Sequence, residues 1–367
     1  MTTTYYLRPI ALTDSPQSEE GDAVRLAGGL VYASRFALIE RAGGKVIARR
    51  RFSVPELKAA LSDLPDAVQA QFADMQRVHA PLQCGARTIR LDQPQVMGIL
   101  NITPDSMSDG GQFMDDPEVA QAHAAAMLEA GAAMIDVGGE STRPGAAAVW
   151  EGDELKRVIP AVERLAASGA AISVDTRRPG VMEAALAAGA HVINDVSALR
   201  HDPRSLEFAA RSGAPVVLMH APGEGEDLHG GTDYADVVLD VFDWLAARRD
   251  AALAAGIARE NILLDPGIGF GKTLADNLAL INALPLFHAL DQPLLVGASR
   301  KRMIGALDNE APAHERLGGS LAIAMKALDA GVQVLRVHDV PETVQALRVW
   351  RGLRDAALTD FSQLPTD

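Results

Sequence analysis

The chain has 367 residues, 48% of them hydrophobic, and no apolar run long enough for a membrane span, so we expect a domain of about 250 residues plus a smaller one. The net charge of −14 arises after residue 92, where 22 Lys and Arg stand against 38 Asp and Glu, and this excludes nonspecific nucleic-acid binding for the larger part. The single cysteine, Cys84, and a start without a signal-peptide pattern predict a cytoplasmic protein without disulfides or a multi-cysteine zinc site.

Residues 1–84 are predicted to form an N-terminal α/β extension. Apolar and β-branched residues in 5–12 and 25–50 suggest strands mixed with a helix, and residues 55–80 look helical with a break at Pro65. Residues 84–95 have the composition of a short hairpin. No chemistry is evident in this region, so we expect a structural or oligomerising appendage, with partner binding as the alternative.

From Val96 onward, eight short apolar runs alternate with Ala-rich stretches that have helical spacing. The runs are residues 96–100, 133–137, 171–174, 191–194, 215–219, 261–264, 293–296 and 333–337. Helices are expected to end at Gly131, Gly189, Gly213 and Gly331. Eight strand–helix units predict an α/β fold, a (β/α)8 TIM barrel over residues 85–358 with a C-terminal tail at 359–367. A doubly wound sheet is the alternative.

Polar and charged residues follow each apolar run, at the strand ends where barrels of this class place their active sites. Asp175, Asn194 and Asp265 end three of the runs. Carboxylates accept paired hydrogen bonds from an amino-pyrimidinone edge, and an amide offers both a donor and an acceptor. These three residues therefore predict a site for a ring of that kind. The alternative for Asp175 is a helix cap before residues 177–180.

Basic residues cluster at the ends of the second, seventh and eighth predicted strands, in an otherwise acidic region. They are Arg143, Arg300, Lys301, Arg302, Arg336 and His338. Such a cluster predicts a phosphate or pyrophosphate site. Asn101, at the root of the first long loop, could supply an oxygen to Mg²⁺ beside substrate phosphates.

Residues 267–273, GIGFGKT, look like a P-loop, but their glycine spacing is one position short, so that interpretation fails. Lys272 could serve the site or only the following helix.

Eight segments at strand ends occur in a specific order: NITPDSMSDGG, GGESTRPG, SVDT, IND, LMH, DPGIGFGKT, SRK and RVHDV. Together they resemble the dihydropteroate synthase family over roughly residues 85–357. The resemblance implies a homodimeric transferase of folate synthesis that joins a pterin pyrophosphate to p-aminobenzoate with Mg²⁺. The chemistry is dissociative: pyrophosphate leaves the pterin methylene, and the arylamine nitrogen attacks the resulting cation.

The resemblance also implies residue roles. The pterin would be held by Asp175, Asn194, Asp265, Lys301 and Met219. The pyrophosphate would be held by Asn101, Thr142, Arg143, Arg336 and His338, with Asn101 also a metal ligand and Ser299 nearby. The p-aminobenzoate would be held by Thr142, Pro144, Met107, Phe270 and Arg302. Catalysis would depend most on Asp175, Lys301 and Arg143.

Three features depart from the family pattern. Met107 stands where members usually have an aromatic residue, which implies an altered p-aminobenzoate pocket and altered sensitivity to sulfonamides. Arg302 stands where many members have Ser near the p-aminobenzoate carboxylate. Residues 221–229, APGEGEDLH, also differ from the usual continuation after LMH.

Three alternatives remain open. A pterin-binding methyltransferase domain would share the barrel but lack the first two loop motifs and SRK. A phosphate-binding isomerase or aldolase would leave the Asp and Asn residues unexplained. A non-catalytic barrel scaffold, with residues 1–92 as its interaction module, is disfavoured by the complete set of polar strand-end residues.

Overall fold

The computed structural model describes most of the chain. The described residues are 2–14, 22–103, 117–143, 145–223, 225, 227–231 and 233–358. Met107 and Pro144, together with the tail at 359–367, lie outside them. Within the described residues, no helix combines the length and the apolar character that a membrane crossing requires.

Fourteen strands and eleven helices are present in the described residues. The strands are β1 (Thr3–Thr13), β2 (Val24–Arg25), β3 (Tyr32–Ala42), β4 (Lys45–Ser53), β5 (Leu82–Cys84), β6 (Arg87–Ile89), β7 (Gln95–Asn101), β8 (Met134–Gly138), β9 (Ile172–Asp175), β10 (Val192–Asp195), β11 (Val216–Met219), β12 (Ile262–Asp265), β13 (Leu295–Val296) and β14 (Val334–Val337). The helices are α1 (Val54–Ala60), α2 (Asp66–Asp74), α3 (Pro117–Ala130), α4 (Glu151–Ala167), α5 (Pro179–Ala187), α6 (Pro203–Ser212), α7 (Val237–Ala254), α8 (Leu274–Ala283), α9 (Arg302–Leu307), α10 (Leu317–Asp329) and α11 (Val340–Leu358).

The N-terminal extension is an antiparallel sheet followed by two helices. β3 pairs with β1 on one side and with β2 and β4 on the other. The helix predicted among residues 5–12 and 25–50 is wrong, since neither stretch contains one. Gly43 and Gly44 take positive φ angles in a tight turn and return the chain as β4. The predicted break at Pro65 is confirmed, since α2 begins directly after it.

The predicted hairpin is β5 and β6, and it closes the amino-terminal end of the barrel. Gly85 makes the turn with a φ of 61°. Leu82, Cys84 and Ile89 are buried against the first residues of the barrel strands, such as Met97 and Val192. This hairpin keeps water out of one end of the barrel, so ligand access is from the other end.

Residues from β7 to β14 form a single sheet of eight parallel strands with helices outside it. Its hydrogen-bonded order is β12, β11, β10, β9, β8, β7, β14, β13. A backbone bridge between Leu264 and Leu294 joins the two end strands. This closure confirms the TIM barrel and excludes the doubly wound sheet. The eight apolar runs each contain the core of one barrel strand.

The strand register brings the polar strand ends together. Asn101 pairs with Gly138, Gly138 with Asp175, and Asp175 with Asn194. These positions come from four consecutive strands, so the side chains of Asn101, Asp175 and Asn194 share one level of the barrel mouth.

Polar contacts join the extension to the barrel, because side chains of β1 and β3 contact side chains of α7. The Tyr6 hydroxyl donates to Asp243 at 2.7 Å, and the buried Arg41 pairs with Asp240 at 2.5 Å. One continuous apolar core also runs through both parts. The proposed boundary at residue 84 stays a prediction, but the extension is firmly packed against the barrel wall.

Replacing Arg41 by Ala should destabilise the protein by about 1–3 kcal/mol, because Asp240 would lose a partly buried ionic partner. Urea unfolding monitored by circular dichroism measures the change. Arg50→Ala is the matched control, since Arg50 is an exposed strand arginine paired with Glu40, and it should change stability by less than about 1 kcal/mol. Equal effects of the two substitutions would contradict this interpretation of the contact.

Candidate active site

Arg336 bridges two carboxylates inside the barrel mouth. Its Nε donates to Asp136 at 2.6 Å and its Nη2 to Asp175 at 2.7 Å. Asp136 is fully buried and Arg336 is one-fifth exposed. Two carboxylates share one guanidinium, so the cluster keeps an excess of acceptors and negative charge.

Asp136 is a site residue that the sequence interpretation missed. Its Oδ2 also accepts a hydrogen bond from the Asn194 amide at 3.0 Å, whereas its buried Oδ1 has no partner among the described residues. Buried acceptors are rarely left unsatisfied, so this oxygen is suited to a ligand donor. Its signal in the sequence was an acidic residue inside the apolar run 133–137.

Burial raises the pKa of Asp175 to about 7, an effect opposed by Arg336 and reinforced by the charge of Asp136. Asp175 does not cap a helix: α5 begins at Pro179, and its N-cap residue is Arg178. The helix-cap alternative is therefore excluded, and Asp175 faces the mouth.

Asp265 and Lys301 form the opposite side of the mouth. Asp265 accepts the Gly267 amide at 2.7 Å, and burial raises its pKa while the charge of Lys301 opposes the rise. Burial lowers the pKa of Lys301 to about 8, although the negative charge of Asp265 acts in the opposite direction. The Lys301 ammonium donates to the Ile268 carbonyl. Gly269 has a φ of 85°, and a Cβ there would lie 2.9 Å from Lys301 Cδ, so a glycine is needed beside this lysine.

An apolar wall adjoins these groups. Met219 and Leu228 are buried in a small cluster against which Phe270 packs. The Lys301 ammonium lies 4.6 Å from the centre of the Phe270 ring, a favourable cation–π distance. The site therefore offers a flat apolar surface directly beside its polar groups.

The predicted basic cluster is only partly available to an anion. Arg300 forms a two-nitrogen ion pair with Asp339. His338 contacts the Ser299 hydroxyl at 3.1 Å, and burial together with neighbouring cations lowers its pKa to about 3. His338 is therefore neutral in the free site, which corrects its placement among the cations. Arg302, in contrast, is exposed at the start of α9.

A second missed group supports the loop after β8. Glu140 accepts hydrogen bonds from Arg177 and Arg178, and also from the Val149 amide at 3.2 Å. All three charged side chains are nearly buried, so the ends of this loop are tied to the loop after β9. That arrangement positions Thr142 and the exposed Arg143 at the rim.

Lys272 and Asn101, two further residues singled out in the sequence, lie next to the residues already described. Lys272 donates to His220 at 2.9 Å and to the Gly267 and Phe270 carbonyls, so it supports its own loop. Asn101 and Asp175 both lie beside Gly138, where an added Cβ would be 3.5 Å from Asn101 Oδ1 and 3.8 Å from Asp175 Oδ2. Among the described residues, no cluster of three or more His, Cys, Asp or Glu side chains is suited to a metal ion.

Replacing Asp136 by Asn should lower the pKa of Asp175 below about 7, because the negative charge that opposes ionisation of Asp175 is removed. Carboxyl ¹³C NMR titration measures the pKa. Glu207→Gln, on the exposed face of α6, is the control and should leave it unchanged. An unchanged or higher Asp175 pKa in Asp136→Asn would show that the two carboxylates are not coupled.

Comparison with known proteins identifies the family. Residues 97–338 match the family described as pterin binding enzyme. Dihydropteroate synthase of Escherichia coli strain K12 is 49% identical over 263 residues, which cover 71% of this chain and 92% of that protein. Two solved dihydropteroate synthases have similar folds, each at 47% identity. The Xanthomonas albilineans enzyme with 4-aminobenzoic acid has a TM-score of 0.70, covering 78% of this chain and all of that one. The Yersinia pestis enzyme with a sulfonamide drug has a TM-score of 0.72, covering 75% of this chain and 99% of that one. The chain therefore belongs to the pterin-binding enzymes and, among them, to the dihydropteroate synthase family.

Proposed function

We propose that this barrel mouth condenses 6-hydroxymethyl-7,8-dihydropterin pyrophosphate with p-aminobenzoate, giving 7,8-dihydropteroate and pyrophosphate. The observation that carries the proposal is the convergence of Asp136, Asp175, Asn194 and Asp265 beside Lys301 at one end of the barrel. This activity is a transferase step of folate biosynthesis. A methyltransferase or a scaffold is not supported, because the relatives are dihydropteroate synthases.

The pterin ring is proposed to bind at the carboxylate cluster. A ring edge with several N–H donors would satisfy the unpartnered Asp136 Oδ1 and the carboxylates of Asp175 and Asp265. Asn194 already donates to Asp136, so its amide oxygen remains as an acceptor for the ring. Lys301 would donate to a ring acceptor, and Met219 would pack against the ring.

The pyrophosphate is proposed to bind toward Asn101, Thr142, Arg143, Arg336 and His338. Arg336 is tied to two carboxylates and His338 is neutral, and we propose that the exposed Arg143 contributes positive charge to the anion site. The donor set suits Mg²⁺, which commonly takes one or two protein oxygens together with substrate phosphates, and Asn101 would hold it here. Bound Mg²⁺ would neutralise charge on the departing pyrophosphate.

The reaction proposed is dissociative. The bond between the pterin methylene carbon and the pyrophosphate oxygen breaks, the arylamine nitrogen forms a bond to that carbon, and the nitrogen then loses a proton. Ionised Asp175 stabilises the positive charge that develops on the pterin, while Arg143 stabilises the leaving anion. Little acid–base catalysis is required, since a neutral arylamine is already a nucleophile. Positioning of the two substrates supplies much of the acceleration.

The p-aminobenzoate is proposed to lie between Thr142 and Phe270, with its carboxylate near Arg302. The X. albilineans relative contains 4-aminobenzoic acid, and the Y. pestis relative contains a sulfonamide. Met107 and Pro144 complete the proposed pocket, although both lie outside the described residues. We further propose that Met107 alters sulfonamide sensitivity, and that the enzyme is a cytoplasmic homodimer.

Mixing both substrates with Mg²⁺ should release pyrophosphate, measured by a coupled phosphate assay, and either substrate alone should release none. Asp265→Asn should lower kcat/KM for the pterin substrate by about 100-fold, because a paired carboxylate acceptor is lost. Asp308→Asn, an exposed residue after α9, is the control and should retain full activity. Well-folded wild-type protein that releases no pyrophosphate would refute the assigned reaction.

The kcat/KM for the pterin substrate should fall as pH rises through about 8, because Lys301 then loses its proton and its charge. A pH–rate profile at low pterin concentration measures this limb. In Lys301→Arg the side chain stays charged over this pH range, so the alkaline fall in kcat/KM should disappear, even if the variant is less active than wild type. An identical alkaline limb in that variant would assign the titration to another group.

Arg302→Ser should raise the KM for p-aminobenzoate by about tenfold and leave the KM for the pterin substrate within about twofold, because one exposed ionic contact is lost. Steady-state kinetics with each substrate varied in turn measures both constants. An unchanged KM for p-aminobenzoate would remove Arg302 from the pocket.

A further inference from the structure

His229 lies in one active-site loop and contacts two others, yet the proposed reaction gives it no role. It lies in the loop after β11, where the sequence departs from the family pattern. Its ring is stacked on Phe270, with centroids 5.1 Å apart and planes inclined by 8°. Phe270 belongs to the loop after β12, so this stack joins two loops of the barrel mouth.

The two ring nitrogens of His229 connect to different loops. Nε2 lies 3.0 Å from the Thr142 carbonyl, in the loop after β8. Nδ1 lies 3.4 Å from the Gly271 amide nitrogen, which can only donate. One tautomer satisfies both contacts: neutral imidazole with the proton on Nε2. A single neutral side chain therefore ties the Thr142 loop to the Phe270 loop.

The loop that carries His229 is itself ordered. Asp227 accepts the backbone amides of His229 and Gly230 at 2.9 and 3.0 Å, which forms a tight turn. Leu228 is buried beside Met219 in the apolar cluster. Because the residue before His229 is anchored in the core, the imidazole is held in place before any ligand arrives.

The contacts of His229 continue toward the reacting groups. The Lys301 ammonium lies 4.6 Å from the centre of the Phe270 ring on which His229 stacks. Thr142 and Phe270 are the two proposed walls of the p-aminobenzoate pocket that the structure describes. Their separation is therefore set by an imidazole that bonds to one and stacks on the other.

We propose that His229 is a positioning residue that fixes the width of the p-aminobenzoate pocket by tying Thr142 to Phe270. The inference rests on the proposed function, because it assigns that pocket to p-aminobenzoate. His229 does not touch the reacting atoms, and it acts through the backbone of one wall and the ring of the other.

The test is steady-state kinetics of His229→Ala, His229→Phe and His229→Gln, with each substrate varied in turn. His229→Ala should raise the KM for p-aminobenzoate by about tenfold and change the KM for the pterin substrate by less than about twofold. His229→Phe keeps the ring stack and His229→Gln keeps a side-chain amide near Thr142, so each should recover part of the loss. His314→Ala, at an exposed histidine that pairs with its neighbour Glu315, should match wild type.

Two kinetic outcomes in the variants would overturn the proposal. An unchanged KM for p-aminobenzoate in all three variants would show that the pocket does not depend on His229. Equal rises in both KM values together with a lower melting temperature, in His229→Phe as well as His229→Ala, would show a general structural role. Wild-type protein that releases no pyrophosphate would overturn the proposed function and this inference with it, whereas an active wild type with insensitive variants overturns the inference alone.

Discussion

The site depends on the ion pairs that Arg336 makes with Asp136 and Asp175. The guanidinium and the Asp136 carboxylate are 200 positions apart in the chain, yet the barrel brings them within 2.6 Å. One cation between two buried carboxylates holds their strands in register, but its single positive charge does not cancel the charge of both carboxylates. The remaining negative charge, and the unpartnered Asp136 Oδ1, favour a ring rich in hydrogen-bond donors that becomes positive as its leaving group departs.

The two ends of the mouth have different electrostatic character. At the proposed pterin end, acidic groups are buried and fixed by the strands. At the proposed anion end, Arg300 is paired with Asp339 and His338 is neutral, whereas Arg143 and Arg302 are exposed on a loop and at the start of a helix.

The sequence predicted the barrel well because each strand is a short apolar run followed by polar residues at the same end. It failed for the helix expected among residues 5–12 and 25–50, where two glycines form a turn between strands that no apolar periodicity reveals. Asp136 was overlooked because it lies within an apolar run, and Glu140 because its partners Arg177 and Arg178 are distant in sequence. The neutral state of His338 depends on burial and on cations from other strands, which local sequence does not contain.

The most direct test of the account is a crystal structure with the pterin substrate, p-aminobenzoate and Mg²⁺ bound. We expect the amino-pyrimidinone edge to lie within about 3.2 Å of Asp265 and of Asp136 or Asn194, with the Arg336 bridge intact. A pterin ring bound elsewhere, with these side chains in contact only with protein, would contradict it.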